Sequence, residues 1–261
     1  MKPPAATVPK ECELGPAPLV FIGQPAHLQG HIELRNRGRE QMKIKHLPVH
    51  GMDLEVAPGA PFRALPVYAK LLPNEQRKAS ASFRLNPQTP PGIYKGEIEA
   101  AGSRRPLQVH VLETWGVRCA PASLSLKVAP GAQVARTIQL RNTGNMPYTL
   151  NRSALVTLKE RKGLHEAIHH AIKNAAATST QAVLDEFFRE MSDREIEPVV
   201  VKCKTAEREL APGESRTVEL EMQLPRGLRR HRQYLGAIEF ENAKVRLEIE
   251  IVTSEGSQHH E

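Results

Sequence analysis

The chain carries the same strand–turn–strand pattern twice, and this duplication limits what it can fold into. The later copy runs from Leu210 to Glu239, LAPGESRTVELEMQLPRGLRRHRQYLGAIE. It reads as a turn at Pro212-Gly213, an alternating run, a loop, and a second alternating run from Tyr234. Val218, Leu220, Met222 and Leu224 take every second position, with Thr217, Glu219, Glu221 and Gln223 between them. Alternation of period two puts one face of a strand on a core and the other in water. The earlier copy, Leu72 to Glu99, repeats the turn, the strand, a proline-bearing loop and a Y-x-G-x-I strand.

A second shared motif locates an insertion. L-R-N-x-G occurs at Leu34 to Gly38 and at Leu140 to Gly144, 106 positions apart (140 minus 34). The Y-x-G-x-I strands at Tyr94 and Tyr234 are 140 positions apart (234 minus 94). The second module therefore holds extra chain between its early and late strands. Between Leu158 and Asp193 proline vanishes, and Ala, Glu, Lys and Leu dominate. Leu164, Ile168, Ala171, Ile172 and Ala175 keep helical spacing. Beyond the N-cap region Thr178-Ser179-Thr180, Val183, Leu184, Phe187, Phe188 and Met191 form a second stripe. This predicts a helical hairpin whose stripes pack on each other and on the sandwich.

The first module reads as short strands at Leu19 to Ile22, His27 to Asn36, Met42 to Val49, Tyr68 to Leu72, Ala79 to Leu85, Ile93 to Ala100 and Pro106 to Leu112. Val56 to Ala64 reads as loop. About seven short strands in about a hundred residues, with regular turn signals, is the pattern of a β-sandwich. The second module repeats it from Ser123 to Val128 and Val134 to Asn142 onward. The predicted fold is mainly β: two Ig-like β-sandwiches in tandem, the second with the helical insertion. The expected organisation is an N-terminal linker over 1–18, module 1 over 19–114, module 2 over 115–254 with the insertion at about 158–193, and a tail over 255–261. The modules meet near Thr114-Trp115-Gly116, and Trp115 is expected to be buried.

Hydrophobic residues make up 40% and charged residues 25%, a globular balance, while aromatics at 4% leave the cores to Val, Leu, Ile and Ala. The formal charge of +7 suits nucleic acid, anionic lipid or an acidic partner, or plain solubility. The basic residues are dispersed and lack an aromatic stacking platform, so no nucleic-acid partner is expected. No stretch approaches the ~18 apolar residues of a membrane span. MKPPAATVPKECELG has no apolar h-region. The start fits either a cytosolic protein or a mature extracytoplasmic form whose signal has been removed, and the Pro/Ala-rich linker suits the second. Three cysteines permit a Cys119–Cys203 bond with Cys12 free, or three reduced thiols, and spacing does not decide.

The shared blocks resemble bacterial and archaeal Ig-like modules of the kind found next to carbohydrate-active domains and in envelope proteins. Those carry an N-x-G turn after an early strand, an "L-x-P-G-E-S" turn, an alternating strand, then "P-x-x-x-P-G-x-Y-x-G-x-I". The matching residues are Asn142, Gly144, Leu210 to Ser215, Pro225, Tyr234, Gly236 and Ile238, and in the first module Asn36, Gly38, Leu72 to Gln76, Pro91-Gly92, Tyr94, Gly96 and Ile98. Asn74 departs from the turn glycine, and RGLRRHRQ from the Pro-Gly loop. The resemblance implies the fold, and spacer, adhesion or assembly roles. Two-module periplasmic pilus-assembly chaperones share the architecture, but their subunit-binding pattern is absent.

Three chemistries compete for the site. Phe187 and Phe188 on the inserted hairpin, with exposed sheet edges, suit other protein subunits. Arg226, Arg229, Arg230 and Arg232 in one loop suit an acidic glycan or another polyanion. His165, Glu166 and His169 form H-E-x-x-H, which on a helix could grip zinc with Glu166 activating water, given a third ligand such as Glu186 or Glu190. The helix is short and no surrounding domain builds a cleft, so no enzyme, metal or cofactor is expected. No nucleophile elbow, P-loop or dinucleotide fingerprint occurs. The expected function is a non-enzymatic structural protein or adaptor of a cell-envelope or surface assembly, acting through protein–protein interaction.

Overall fold

The structure is a computed structural model and describes residues 11–174, 179–192, 198–205 and 208–252. The chain divides into two compact units, residues 1–115 with 143–146, and residues 116–142 with 147–261.

The first unit contains β1 (Cys12–Leu14), β2 (Leu19–Gln24), β3 (His27–Asn36), β4 (Met42–His50), β5 (Glu55–Ala57), β6 (Ala60–Pro61), β7 (Ala64–Leu71), β8 (Gln76–Phe83), β9 (Gly92–Ala100) and β10 (Ser103–Val111). Strand β3 pairs antiparallel with β8, and also with β2 near its start and β1 near its end. Strand β2 runs parallel to β10, followed by β9, β4 and the edge strand β7. Inward positions build the core: Phe21, Leu28, Ile32, Leu34, Leu47, Leu65, Ile98 and Leu107 are fully buried. Phe83 stacks on Phe62 at 4.6 Å and meets Phe21 edge-on at 5.3 Å. β7 starts earlier than Tyr68, because Leu65, Val67, Ala69 and Leu71 all alternate inward. Pro66 is tolerated there because an edge strand has a side with no ladder to donate to.

The second unit contains β11 (Val117–Ala120), β12 (Ser123–Val128), β13 (Gln133–Asn142), β14 (Tyr148–Thr149), β15 (Ser153–Val156), β16 (Lys159–Glu160), α1 (Gly163–Asn174), α2 (Thr180–Ser192), β17 (Val199–Lys204), β18 (Glu209–Leu210), β19 (Ser215–Gln223), β20 (Gln233–Phe240) and β21 (Ala243–Ile251). One sheet has the order β11-β13-β19-β17-β15, the other β12-β21-β20-β16, with β12 parallel to β21. Leu126, Leu140, Val201, Val218, Leu220, Tyr234, Ile238, Val245 and Leu247 fill the space between them. This is an Ig-like β-sandwich with the helical pair inserted between β16 and β17.

The duplicated motifs have one physical explanation each, made twice. Asn36 is fully buried; its Nδ2 donates to the carbonyls of Glu40 at 2.8 Å and Leu72 at 3.1 Å, and its Oδ1 accepts from Gly38 N. Asn142 likewise donates to the Leu210 carbonyl at 3.0 Å. The main-chain amides of Asn36 and Asn142 donate to Glu75 O and Glu214 O. In those turns the glutamate carboxylates accept from Leu72 N and Ala211 N. Asn74 takes φ 58° where Gly213 takes φ 79°; asparagine is among the few side chains that tolerate this region. The fully buried Leu71 therefore matches Leu210, one residue ahead of the register expected from Leu72.

Each tyrosine of Y-x-G-x-I forms a tyrosine corner, an Ig-type device. Tyr94 Oη donates to Pro90 O at 2.8 Å, and Tyr234 Oη accepts from Arg229 N at 2.9 Å. Gly96 and Gly236 sit where a neighbouring segment presses close: a Cβ would lie 2.8 Å from His50 O in one and 2.8 Å from Val156 Cγ1 in the other. Ile98 and Ile238 are fully buried.

The three thiols are free. Cys119 on β11 and Cys203 on β17 belong to one sheet with β13 and β19 between them. Three strand spacings amount to ~14 Å, well beyond the ~7 Å limit for bridging Cα atoms, so the Cys119–Cys203 bond does not form. Burial pushes the Cys12 and Cys119 thiols up to about 11. Their native-state stabilisation is complete below the ordinary thiol range near 9 and is lost as pH rises toward 11. Native protein at pH 8 is therefore expected to resist alkylation at Cys12 and Cys119, with stability falling between pH 9 and 11. Rapid labelling of Cys12 without unfolding would contradict this burial.

Candidate functional site

The hairpin begins where β16 ends. Glu160 lies opposite Tyr234 on β20, and the main chain of Arg161 donates to Gln233 O. Arg232 Nε lies 3.4 Å from Glu160 Oε1, and Arg232 Nη1 pairs with Glu166 on the first turn of α1. These contacts fix the rotation of the helix. Its buried face is Gly163, Ala167 and Ala171, residues small enough for close approach. Leu164, Ile168 and Ile172 instead face solvent, contrary to the expectation that this stripe packs inward. The physical reason is the Arg232 anchor on the small-residue side.

Helix α2 packs on α1. Ser179 Oγ accepts from Ala182 N, which makes Ser179 its N-cap; Thr178 and Ala175 lie outside the described residues. No described residue of α2 is fully buried. Phe187 is half-buried and Phe188 exposed, with ring centroids 5.6 Å apart. Leu164, Ile168, Ile172, Leu184 and Phe188 are between 43% and 65% exposed, an apolar surface the rest of the unit does not use.

The arginine loop does not act as one cluster. Leu228 is buried and anchors it, and Arg229 N is held by Tyr234. Arg226, Arg229 and Arg230 are exposed, whereas Arg232 is turned to two carboxylates. Arg232→Met should loosen the first turn of α1, and hydrogen exchange of the amides at 166–170 should rise about tenfold; unchanged exchange would show that the ion pairs do not hold the helix.

Glu166, the general base that the H-E-x-x-H motif would need, is engaged by Arg232. His165 and His169 point to solvent, and Glu186 pairs with Arg189. Among the described residues no three His, Cys, Asp or Glu side chains are placed to hold a metal ion.

Two surfaces were not singled out by sequence. On the outer face of β4 and β7, Lys43 lies directly opposite Lys70. Lys45 and His46 follow at a bulge, and Tyr68, 81% exposed, meets His46 edge-on at 6.3 Å. Like charges placed opposite are unfavourable without a counter-charge. On the edge strand β15, Leu155 pairs with Val200, and both are exposed on the outer face. Neither pair is legible without strand register. Trp115 is also exposed rather than buried.

Among the described residues no helix is long and apolar enough to cross a membrane. No protein-family model matches the chain, and no curated protein matches it. Solved structures are similar to it at low scores. A protein of unknown function from Porphyromonas gingivalis W83 is 13% identical, with 92% of this chain and 100% of that chain covered and a TM-score of 0.25. Dpr11 IG1 bound to DIP-gamma is 11% identical, covering 93% and 99%, TM-score 0.32. Domains 4 and 5 of the S-layer protein SbsC are 11% identical, covering 62% and 66%, TM-score 0.25. At these scores the likeness adds nothing to the strand order above, and no property of those proteins passes to this chain.

Proposed function

We propose that the chain is a non-enzymatic structural or adaptor protein of an extracytoplasmic assembly, such as a cell envelope or surface layer, and that it binds other protein through the inserted hairpin. One observation carries this: five large apolar side chains on the two helices stay exposed although the sandwich beneath has a complete core of its own. An apolar patch of this kind on a soluble domain marks an interaction surface. The exposed Leu155–Val200 pair on β15 offers a second contact, of the strand-addition type. The test is capture from the native organism's envelope fraction by the full chain and by Phe188→Asp. Partners lost with the substitution and retained in 0.5 M salt support the proposal; identical capture by both proteins refutes it.

A second reading, binding of an acidic glycan or another polyanion, is favoured by the Lys43–Lys70 juxtaposition beside Tyr68 more than by the arginine loop, whose Arg232 is neutralised. Retention on a sulfated polysaccharide that falls steeply with salt, and with Lys70→Glu, would identify it.

A further inference from the structure

We propose that the hairpin pairs with the hairpin of a second copy of this chain, forming a two-fold four-helix interface. This rests on the protein-binding proposal above and names the partner. Three features of the hairpin point to self-pairing.

The first is shape and area. Leu164, Ile168 and Ile172 recur at four-residue steps and so form one stripe on α1; Leu184 and Phe188 do the same on α2. Helices of 12 and 13 residues are about 18–20 Å long, so one hairpin covers another end to end. With exposures of 43–65%, the five side chains together leave on the order of 500 Å² of apolar surface in water. It is also a large part of the ~800 Å² that each partner contributes to a standard interface.

The second is charge. The segment 161–174 carries Arg161, Lys162 and Lys173 against Glu166 alone, with His165, His169 and His170 exposed. Helix α2 carries Asp185, Glu186 and Glu190 against Arg189 alone. Arg161 and Lys162 precede α1, whose own Lys173 and Glu166 balance, so a two-fold axis can set the basic ends of the 161–174 segment of one copy against the acidic α2 of the other, twice over.

The third is placement. His165 and His169 follow the α1 stripe by one residue, and Asp185 follows Leu184 on α2, so ring N–H donors border one apolar stripe and a carboxylate acceptor borders the other. An anionic lipid surface would instead have to accept the acidic α2.

The test is sedimentation equilibrium of the full chain from 1 µM to 500 µM. A monomer–dimer equilibrium is expected. Phe188→Asp or Ile168→Asp should weaken it at least a hundredfold while leaving the circular dichroism unchanged, since both side chains are exposed. Asp185→Lys should weaken it about tenfold, and His169→Asp added to it should restore most of the loss. A chain that stays monomeric throughout overturns the inference, and so does a dimer indifferent to all of these substitutions. If the monomeric chain still captures another protein in a Phe188-dependent way, self-pairing falls while the protein-binding proposal stands. If it is instead retained by anionic vesicles, both fall in favour of a lipid surface.

Discussion

Asn36→Ala should lower the stability of the first unit by about 3 kcal/mol, from three hydrogen bonds at a net ~1 kcal/mol each. The side chain is fully buried, and its removal takes a donor from the Glu40 and Leu72 carbonyls and the acceptor from the Gly38 amide. For a unit of this size the midpoint of thermal unfolding should drop by roughly 12–24 °C. Calorimetry is the measurement, because the two units have separate cores and the change belongs to one of them. A drop of only a few degrees would mean that the asparagine does not hold the Glu75 turn to the end of β3.

The second large effect separates two glycines that look alike in sequence. At Gly96 an added methyl lies 2.8 Å from the His50 carbonyl oxygen and 2.9 Å from Met52 Cβ. Main chain there cannot yield without disturbing the Val49–Ile98 and His50–Glu97 pairing of β4 with β9. At Gly236 the nearest atoms are the ends of the Val156 and Leu158 side chains, at 2.8 and 2.9 Å. Overpacking costs about 1–3 kcal/mol. Gly96→Ala should fall near the top of that range and Gly236→Ala near the bottom, read as urea midpoints for each unit. Equal losses, or the reverse order, would show that close approach of the main chain is not what requires glycine at position 96.

Much of the fold was legible because its signals are local. Alternation along Ser215 to Gln223, the turn at Pro212-Gly213 and the Y-x-G-x-I strands need no knowledge of distant partners. The insertion was legible from the unequal spacing of two motifs. What failed is what depends on three-dimensional register. Asn145 carries no sequence signal, yet its side chain is buried among Thr89 O, Leu112 O and Thr114 N, 31 to 56 residues away. Lys43 and Lys70 become neighbours only through the β4–β7 ladder and its bulge. The helix stripes were found, but not their direction. Periodicity identifies an apolar face, and the buried face of α1 is set instead by Ala167, Ala171 and the Arg232–Glu166 pair. The same pair turns Arg232 to the helix and engages Glu166 of the H-E-x-x-H motif, so one long-range contact bears on two sequence motifs.

The proposed function makes the hairpin a working surface carried by a sandwich that does not need it. The most direct measurement is calorimetric unfolding of a chain in which residues 163–192 are replaced by a short Gly-Ser turn. Both units should still unfold cooperatively, with the second unit's midpoint within about 5 °C of the intact protein. Loss of the second unit's transition would contradict it and make the hairpin a structural cap on the edge of the β12-β21-β20-β16 sheet.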